Sequence, residues 1–63
     1  SGDETQAVTD AVEHLVRLGH RRIAHVAGPQ ELSTGFGRYR AFLDAIGRSN
    51  LTSDECPVAF PGA

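Results

Sequence analysis

Cysteine is almost absent from this sequence, and long apolar runs are missing. Cys56 is the single cysteine, so no disulfide can form within the chain; this excludes the bridge-stapled secreted miniproteins and favours a reducing compartment. No apolar run approaches the roughly 20 residues that a membrane-spanning helix needs, and the acidic start does not resemble a signal peptide. We therefore expect a cytoplasmic protein.

An excess of positive charge is also missing. The chain carries 6 Lys+Arg against 8 Asp+Glu, a formal net charge of -2. Such a balance gives no electrostatic basis for binding a phosphate backbone or an anionic membrane. We expect that this chain does not bind DNA directly.

The chain is short for an independent fold. Domains of this size bury only about 60% of the surface that the unfolded chain exposes, so 63 residues predict marginal stability. The 40% hydrophobic and 22% charged residues are nevertheless typical of globular and not of disordered chains.

The first periodic segment predicts a helix over residues 6–18. Its apolar residues recur at spacings of one, three and four, which places them on one stripe of a helix: Ala7, Val8, Ala11, Val12, Leu15 and Val16. Asp3 followed three residues later by Gln6 resembles a capping box, and Gly19 predicts a C-terminal stop.

Three further elements follow. Residues 23–29 form a short apolar run that does not alternate cleanly, which is typical of a strand covered on both faces. A second helix is predicted to begin near Ser33 to Gly35 and to stop at Asn50, because aromatic and aliphatic residues recur at helical spacing between them. Residues 57–60 have the pattern of another strand.

The order helix, strand, helix, strand predicts the α/β class, as a fragment of a doubly wound parallel sheet. A strand–helix–strand unit crosses over with a right hand, which makes its strands parallel and puts its helix on one face. We expect the first helix to cover the opposite face. Two strands are too few for independent stability, so we also expect more sheet or a partner.

One continuous stretch carries a family resemblance. The run EHLVRLGHRRIA, at residues 13–24, is followed by VAGP at residues 26–29, and together they resemble a stretch of the lactose/galactose-repressor (LacI/GalR) family of bacterial transcriptional regulators. Asp3 resembles the family's aspartate before this helix. Arg38 and Phe42 resemble its RxxGF segment, with Ala41 in place of the glycine. The similarity runs from Asp3 to about Ile46.

The resemblance implies a periplasmic-binding-protein-like effector-binding domain. Residues 1–63 would be a portion of its C-terminal subdomain, without the DNA-binding domain, which would lie upstream as a helix-turn-helix. The intact repressor would be a homodimer in which a sugar or similar small effector, held between two subdomains, changes the affinity for operator DNA. We predict no cofactor.

Within the matching stretch we expect Asp3, Gly19, His20 and Gly28 to be structural. Gly19 would take a left-handed cap, and His20 would reach the last carbonyl groups of the first helix.

The resemblance also implies a role for Arg38, because the matching arginine of the family commonly contacts the effector. Ligands of open α/β sheets lie beyond the carboxyl ends of the strands, where the next helix begins, and Arg38 is predicted in that first turn. Thr34 and Phe36 are expected to add a hydroxyl and an aromatic face. The alternatives are a solvated arginine, a helix cap at Thr34 and core packing at Phe36. Leu32, near where some purine-binding members carry a second basic residue, disfavours a purine or phosphate effector.

Catalytic and metal sites are not predicted. The segment Gly35–Gly37 lacks the third glycine of a dinucleotide fingerprint, and residues 28–34 lack the Gly-Lys-Ser/Thr of a P-loop. No histidine pair has the i, i+4 spacing of a helical metal site, and Cys56 has no evident orienting partner. We expect a protein that is not an enzyme. The main alternative is a secreted solute-binding protein of a sugar transporter; an enzyme of the same fold class is a second.

Overall fold

A computed structural model describes residues 3–62 and contains four elements. Helix α1 spans Asp3–Arg17, strand β1 His25–Val26, helix α2 Ser33–Arg48 and strand β2 Val58–Ala59. The two strands are parallel, with His25 opposite Val58 and Val26 opposite Ala59. The predicted element order, the α/β class and the parallel pairing are therefore confirmed.

The strands are shorter than the sequence predicted. Two residues of each strand form the sheet, although backbone bonds from His25 N–H to the Pro57 carbonyl (3.0 Å) and from Ala27 N–H to the Ala59 carbonyl (2.8 Å) extend the pairing slightly. Apolar composition marks which residues can lie in a sheet, but backbone partners decide how many of them do.

Both helices end in the same hydrogen-bonded motif. After α1, Gly19 has φ 96°, and the amides of Gly19 and His20 donate to the carbonyls of Val16 (2.9 Å) and Leu15 (3.0 Å). This is a Schellman ending, in which a left-handed residue lets two amides satisfy two carbonyls of the last turn. The expected left-handed cap at Gly19 is confirmed.

The expected role of the His20 side chain is corrected by this geometry. In the described part of the chain its exposed imidazole makes no hydrogen bond, and the backbone amide of His20 closes the helix instead. At the other end of α1, the Gln6 amide donates to Asp10 Oδ1 at 2.9 Å. The Asp3 side chain of the predicted capping box lies outside the described residues.

Asn50 ends α2 in the same way. It has φ 60°, and the amides of Asn50 and Leu51 donate to the carbonyls of Gly47 (3.2 Å) and Ile46 (2.9 Å). Asparagine tolerates the left-handed conformation better than most residues. The predicted stop at Asn50 is confirmed.

Both helices lie on one face of the strand pair, so the prediction that α1 covers the opposite face is wrong. Residues of α1, of α2 and of the segments that precede the strands share one core: Val12, Ile23, Phe42, Ala45, Ile46, Leu51 and Cys56. Along β1 and the residues that flank it the burial alternates, since Ile23 and Ala27 are buried whereas Ala24 and Val26 are exposed. The second sheet face is therefore apolar and uncovered, with Val26 81% exposed.

Candidate functional site

A cavity lies at the carboxyl edge of the strand pair. Because the strands are parallel, the segments that follow them meet at one edge, where ligands of open α/β sheets bind. The cavity has a volume of about 480 Å³. It is lined by Pro29, Gln30 and Glu31 after β1 and by Phe60, Pro61 and Gly62 after β2.

The loop after β1 is held tightly against the start of α2. A Cβ placed on Gly35 would clash with the Pro29 carbonyl oxygen and would lie 2.9 Å from the carbonyl carbon of Gly28. Only glycine fits at this approach. The Gln30 amide donates to the Gly28 carbonyl at 2.9 Å, which fixes the loop beside the helix.

Arg38 lies in the second turn of α2, one turn later than the sequence suggested, because α2 begins at Ser33. Its Nη1 donates to Glu4 Oε1 of α1 at 3.0 Å. Its Nη2 lies 3.1 Å from the position that a Cβ on Gly28 would occupy. The guanidinium group therefore joins both helices and the end of β1, and its side chain remains 38% exposed.

Thr34 and Phe36 are placed differently with respect to Arg38. Thr34 is four residues before Arg38, so the two side chains share a helix face, and Thr34 is exposed. Leu32 holds the N-cap position without a side-chain hydrogen bond, so the alternative of a cap at Thr34 does not hold. Phe36 is two residues from Arg38 and hence on roughly the opposite side of the helix.

The Phe36 ring takes part in another contact. The Arg40 guanidinium carbon lies 5.9 Å from its centroid, within the range of a cation–π interaction. The ring is 46% exposed, so it is not a core residue as the alternative interpretation had it.

His25 is a feature that sequence reasoning missed. Its ring stacks on Phe42, with centroids 4.9 Å apart and planes at 16°. Its Nε2 is buried and has no hydrogen-bond partner among the described residues. Burial and, secondarily, the charge of Arg38 lower the pKa of His25 below 6.5, because both oppose a positive imidazolium. Protonation of this imidazole is therefore less favourable than in the unfolded chain.

The end of β2 is tied to α2 by aromatic rings. Tyr39 and Phe60 make an edge-to-face contact with centroids 5.2 Å apart, a geometry that aromatic pairs favour. Since Phe60 also lines the cavity, α2 is fixed to both strand ends that border it.

Comparison with known proteins gives one consistent picture. Residues 12–62 match the family described as "Periplasmic binding protein-like domain". The chain is 36% identical over 50 residues to the HTH-type transcriptional regulator CelR of Thermobifida fusca. It is 42% identical over 45 residues to the HTH-type transcriptional repressor PurR of Pectobacterium carotovorum and 33% identical over 57 residues to the HTH-type transcriptional repressor CytR of Escherichia coli.

These alignments cover most of this chain and little of the relatives. They include 79%, 71% and 90% of the chain, but 15%, 13% and 17% of CelR, PurR and CytR. No solved structure matches the chain significantly. Within residues 3–62, neither helix combines the length and apolar character needed to cross a membrane. The matched domain, the α/β fold and the named relatives agree, and the chain belongs to the periplasmic-binding-protein-like domains of the lactose/galactose-repressor (LacI/GalR) family of transcriptional regulators.

Proposed function

We propose that this chain is a portion of the C-terminal subdomain of an effector-binding domain, and that a small molecule contacts Arg38. The observation that carries the proposal is the position of the Arg38 guanidinium beside Gly28 at the carboxyl end of β1. A planar guanidinium offers several fixed donors to hydroxyl groups. Thr34, on the same helix face, adds a hydroxyl, and Phe36 is the weaker member because its ring faces Arg40.

We infer a sugar or a similar hydroxyl-rich metabolite as the effector. Leu32 is the N-cap of α2 and 55% exposed, so the loop before the helix offers an apolar side chain where a second basic residue would attract an anion. Exposed aromatic rings beside the cavity, such as Phe60, provide flat faces on which sugar rings stack.

In the whole protein we propose a homodimer that binds operator DNA through a helix-turn-helix outside this chain. The support is that the relatives are named HTH-type regulators or repressors, whereas this chain has a net charge of -2. Effector binding would shift the two subdomains relative to each other, which requires different affinities for the two arrangements. The proposed protein works in the cytoplasm, without catalysis or a cofactor. The named relatives favour this regulator over a solute-binding protein of a transporter.

The proposal is tested by thermal unfolding of the complete protein that carries this chain, against a panel of mono- and disaccharides, nucleosides and purines. A compound present at about 100 times its Kd adds about 2.7 kcal/mol to the free energy of unfolding. We expect such stabilisation by one sugar, and its loss in Arg38→Ala.

Arg40→Ala is the matched control, because Arg40 belongs to the same helix and carries the same charge but lies over Phe36. This variant should keep the stabilisation. Equal stabilisation of the wild type and Arg38→Ala would contradict the role of Arg38.

A further inference from the structure

Glu4 lies where an anionic ligand of Arg38 would otherwise bind. Its carboxylate belongs to the first turn of α1 and accepts from Arg38 Nη1 at 3.0 Å, across 34 positions of sequence. The contact is possible because α1 and α2 meet there, with Thr5 Cγ2 next to Gly37. A guanidinium with a free edge binds phosphate or carboxylate through two parallel bonds; here a carboxylate of the protein already takes one of the two Nη groups.

The Glu4–Arg38 pair brings two opposite formal charges together. His25 adds little positive charge near pH 7, because burial and then the charge of Arg38 lower its pKa below 6.5. The pair therefore has a formal charge of zero, and an anion that approached Arg38 would be repelled by the adjacent Glu4 carboxylate.

We propose that Glu4 is a specificity-determining residue that excludes anionic compounds from Arg38 and leaves the remaining guanidinium N–H groups to uncharged hydroxyl-bearing ones. This inference rests on the proposed function, since it takes Arg38 as the group that faces the effector. Glu4 acts through Arg38 and through its own charge.

The test uses the complete protein and inorganic phosphate as the probe, at constant ionic strength maintained with chloride. Wild type, Glu4→Gln and Glu13→Gln are titrated by thermal unfolding, and the melting curves without phosphate verify that each variant folds. Glu13 is an exposed carboxylate on the same helix, so its variant changes the net charge equally. We expect the apparent Kd for phosphate to fall roughly tenfold in Glu4→Gln, and not in Glu13→Gln.

The gain must depend on Arg38, so Glu4→Gln combined with Arg38→Ala should lose it. This double variant also removes the general stabilisation of proteins by phosphate salts as an explanation. Glu4→Ala is a second variant of the same position and should show the same gain. Equal phosphate affinity of Glu4→Gln, Glu4→Ala and Glu13→Gln would overturn the inference.

Failure of this inference is distinguishable from failure of the proposed function. If one sugar stabilises the wild type but not Arg38→Ala, while Glu4→Gln gains no phosphate affinity, the effector site stands and the role of Glu4 is wrong. If phosphate affinity rises in Glu4→Gln and no sugar depends on Arg38, the selectivity of Glu4 stands and the sugar effector is wrong.

Discussion

The two ends of the parallel strand pair each hold an arginine–glutamate pair, and they differ in how completely their polar groups are satisfied. At the amino end, Arg21 Nε donates to Glu55 Oε2 at 3.3 Å, and Arg21 Nη2 donates to the Asn50 carbonyl at 3.3 Å. The amide and the hydroxyl of Thr52 both donate to Glu55 Oε1, at 3.1 and 3.2 Å. The Cys56 thiol faces the Arg21 carbonyl at 3.4 Å.

The carboxyl end is built differently. Among the described residues, the Arg38 side chain makes one hydrogen bond, to Glu4, whereas the Arg21 side chain makes two. A guanidinium bonded to a carboxylate and a carbonyl ties segments of the chain together, whereas one with a single protein partner keeps N–H groups available to a ligand. The amino end is therefore the more fully bonded of the two, and the carboxyl end is the one at which we propose binding.

The largest expected effect comes from a substitution at the carboxyl end of the strand pair. Gly35→Ala places a methyl group in steric conflict with the Pro29 carbonyl oxygen, and we expect a loss of about 1–3 kcal/mol in the free energy of unfolding, as for overpacking elsewhere. Gly47→Ala is the matched control, because nothing lies within 4 Å of its added Cβ and alanine favours a helix by up to about 1 kcal/mol. Urea unfolding of both variants measures the difference, and equal stabilities would contradict the close approach.

A second prediction concerns the pH dependence of His25. Its pKa in the fold is lower than the 6.5 of the unfolded chain, so the folded state binds fewer protons. The free energy of unfolding should therefore be level above pH 6.5 and fall as the pH drops from 6.5 towards the folded pKa. His25→Phe keeps a ring against Phe42 and removes the titration. Melting temperatures between pH 7.5 and 5 should depend less on pH in this variant; an unchanged slope would exclude His25 as the source.

The smallest expected effect lies at the amino end. The backbone amide of Thr52 and then the charge of Arg21 lower the pKa of Glu55 below 4.5. This contribution to stability is present above pH 4.5 and is lost as the pH falls through the folded pKa. Glu55→Gln should flatten the acid limb of the stability curve without changing the effector response at neutral pH. An altered effector response in Glu55→Gln would show that the two ends are not separate in function.

Local patterns in the sequence predicted most of the elements. The apolar stripe and Gly19 mark α1 to within a few residues, and Asn50 marks the end of α2, because periodicity and helix stops are properties of neighbouring residues. The same signals could not show on which sheet face α1 lies. An apolar stripe shows which side of a helix is buried, but that side can pack against either face of a sheet.

The candidate site was predictable only in part. Arg38 follows from the resemblance and from the rule about strand carboxyl ends. Glu4 was missed because its contact with Arg38 spans 34 positions, and no local pattern reports such a pairing. His25 was missed because the run around it does not reveal which residues of the strand point inward. Phe36 was predicted to lie beside Arg38, but residues two positions apart in a helix point about 200° apart around its axis.

The glycine approach at the start of α2 has a mechanical consequence. Since the Gly35 backbone touches the Pro29 carbonyl with no side chain between them, the loop and the helix cannot slide past each other without a clash. Packed interiors transmit such displacements instead of absorbing them. A displacement of residues 28–32 would move α2 as a rigid body, and the Arg38–Glu4 bond would couple α1 to the same movement. Movement of the segment that borders the cavity is thereby coupled to movement of both helices.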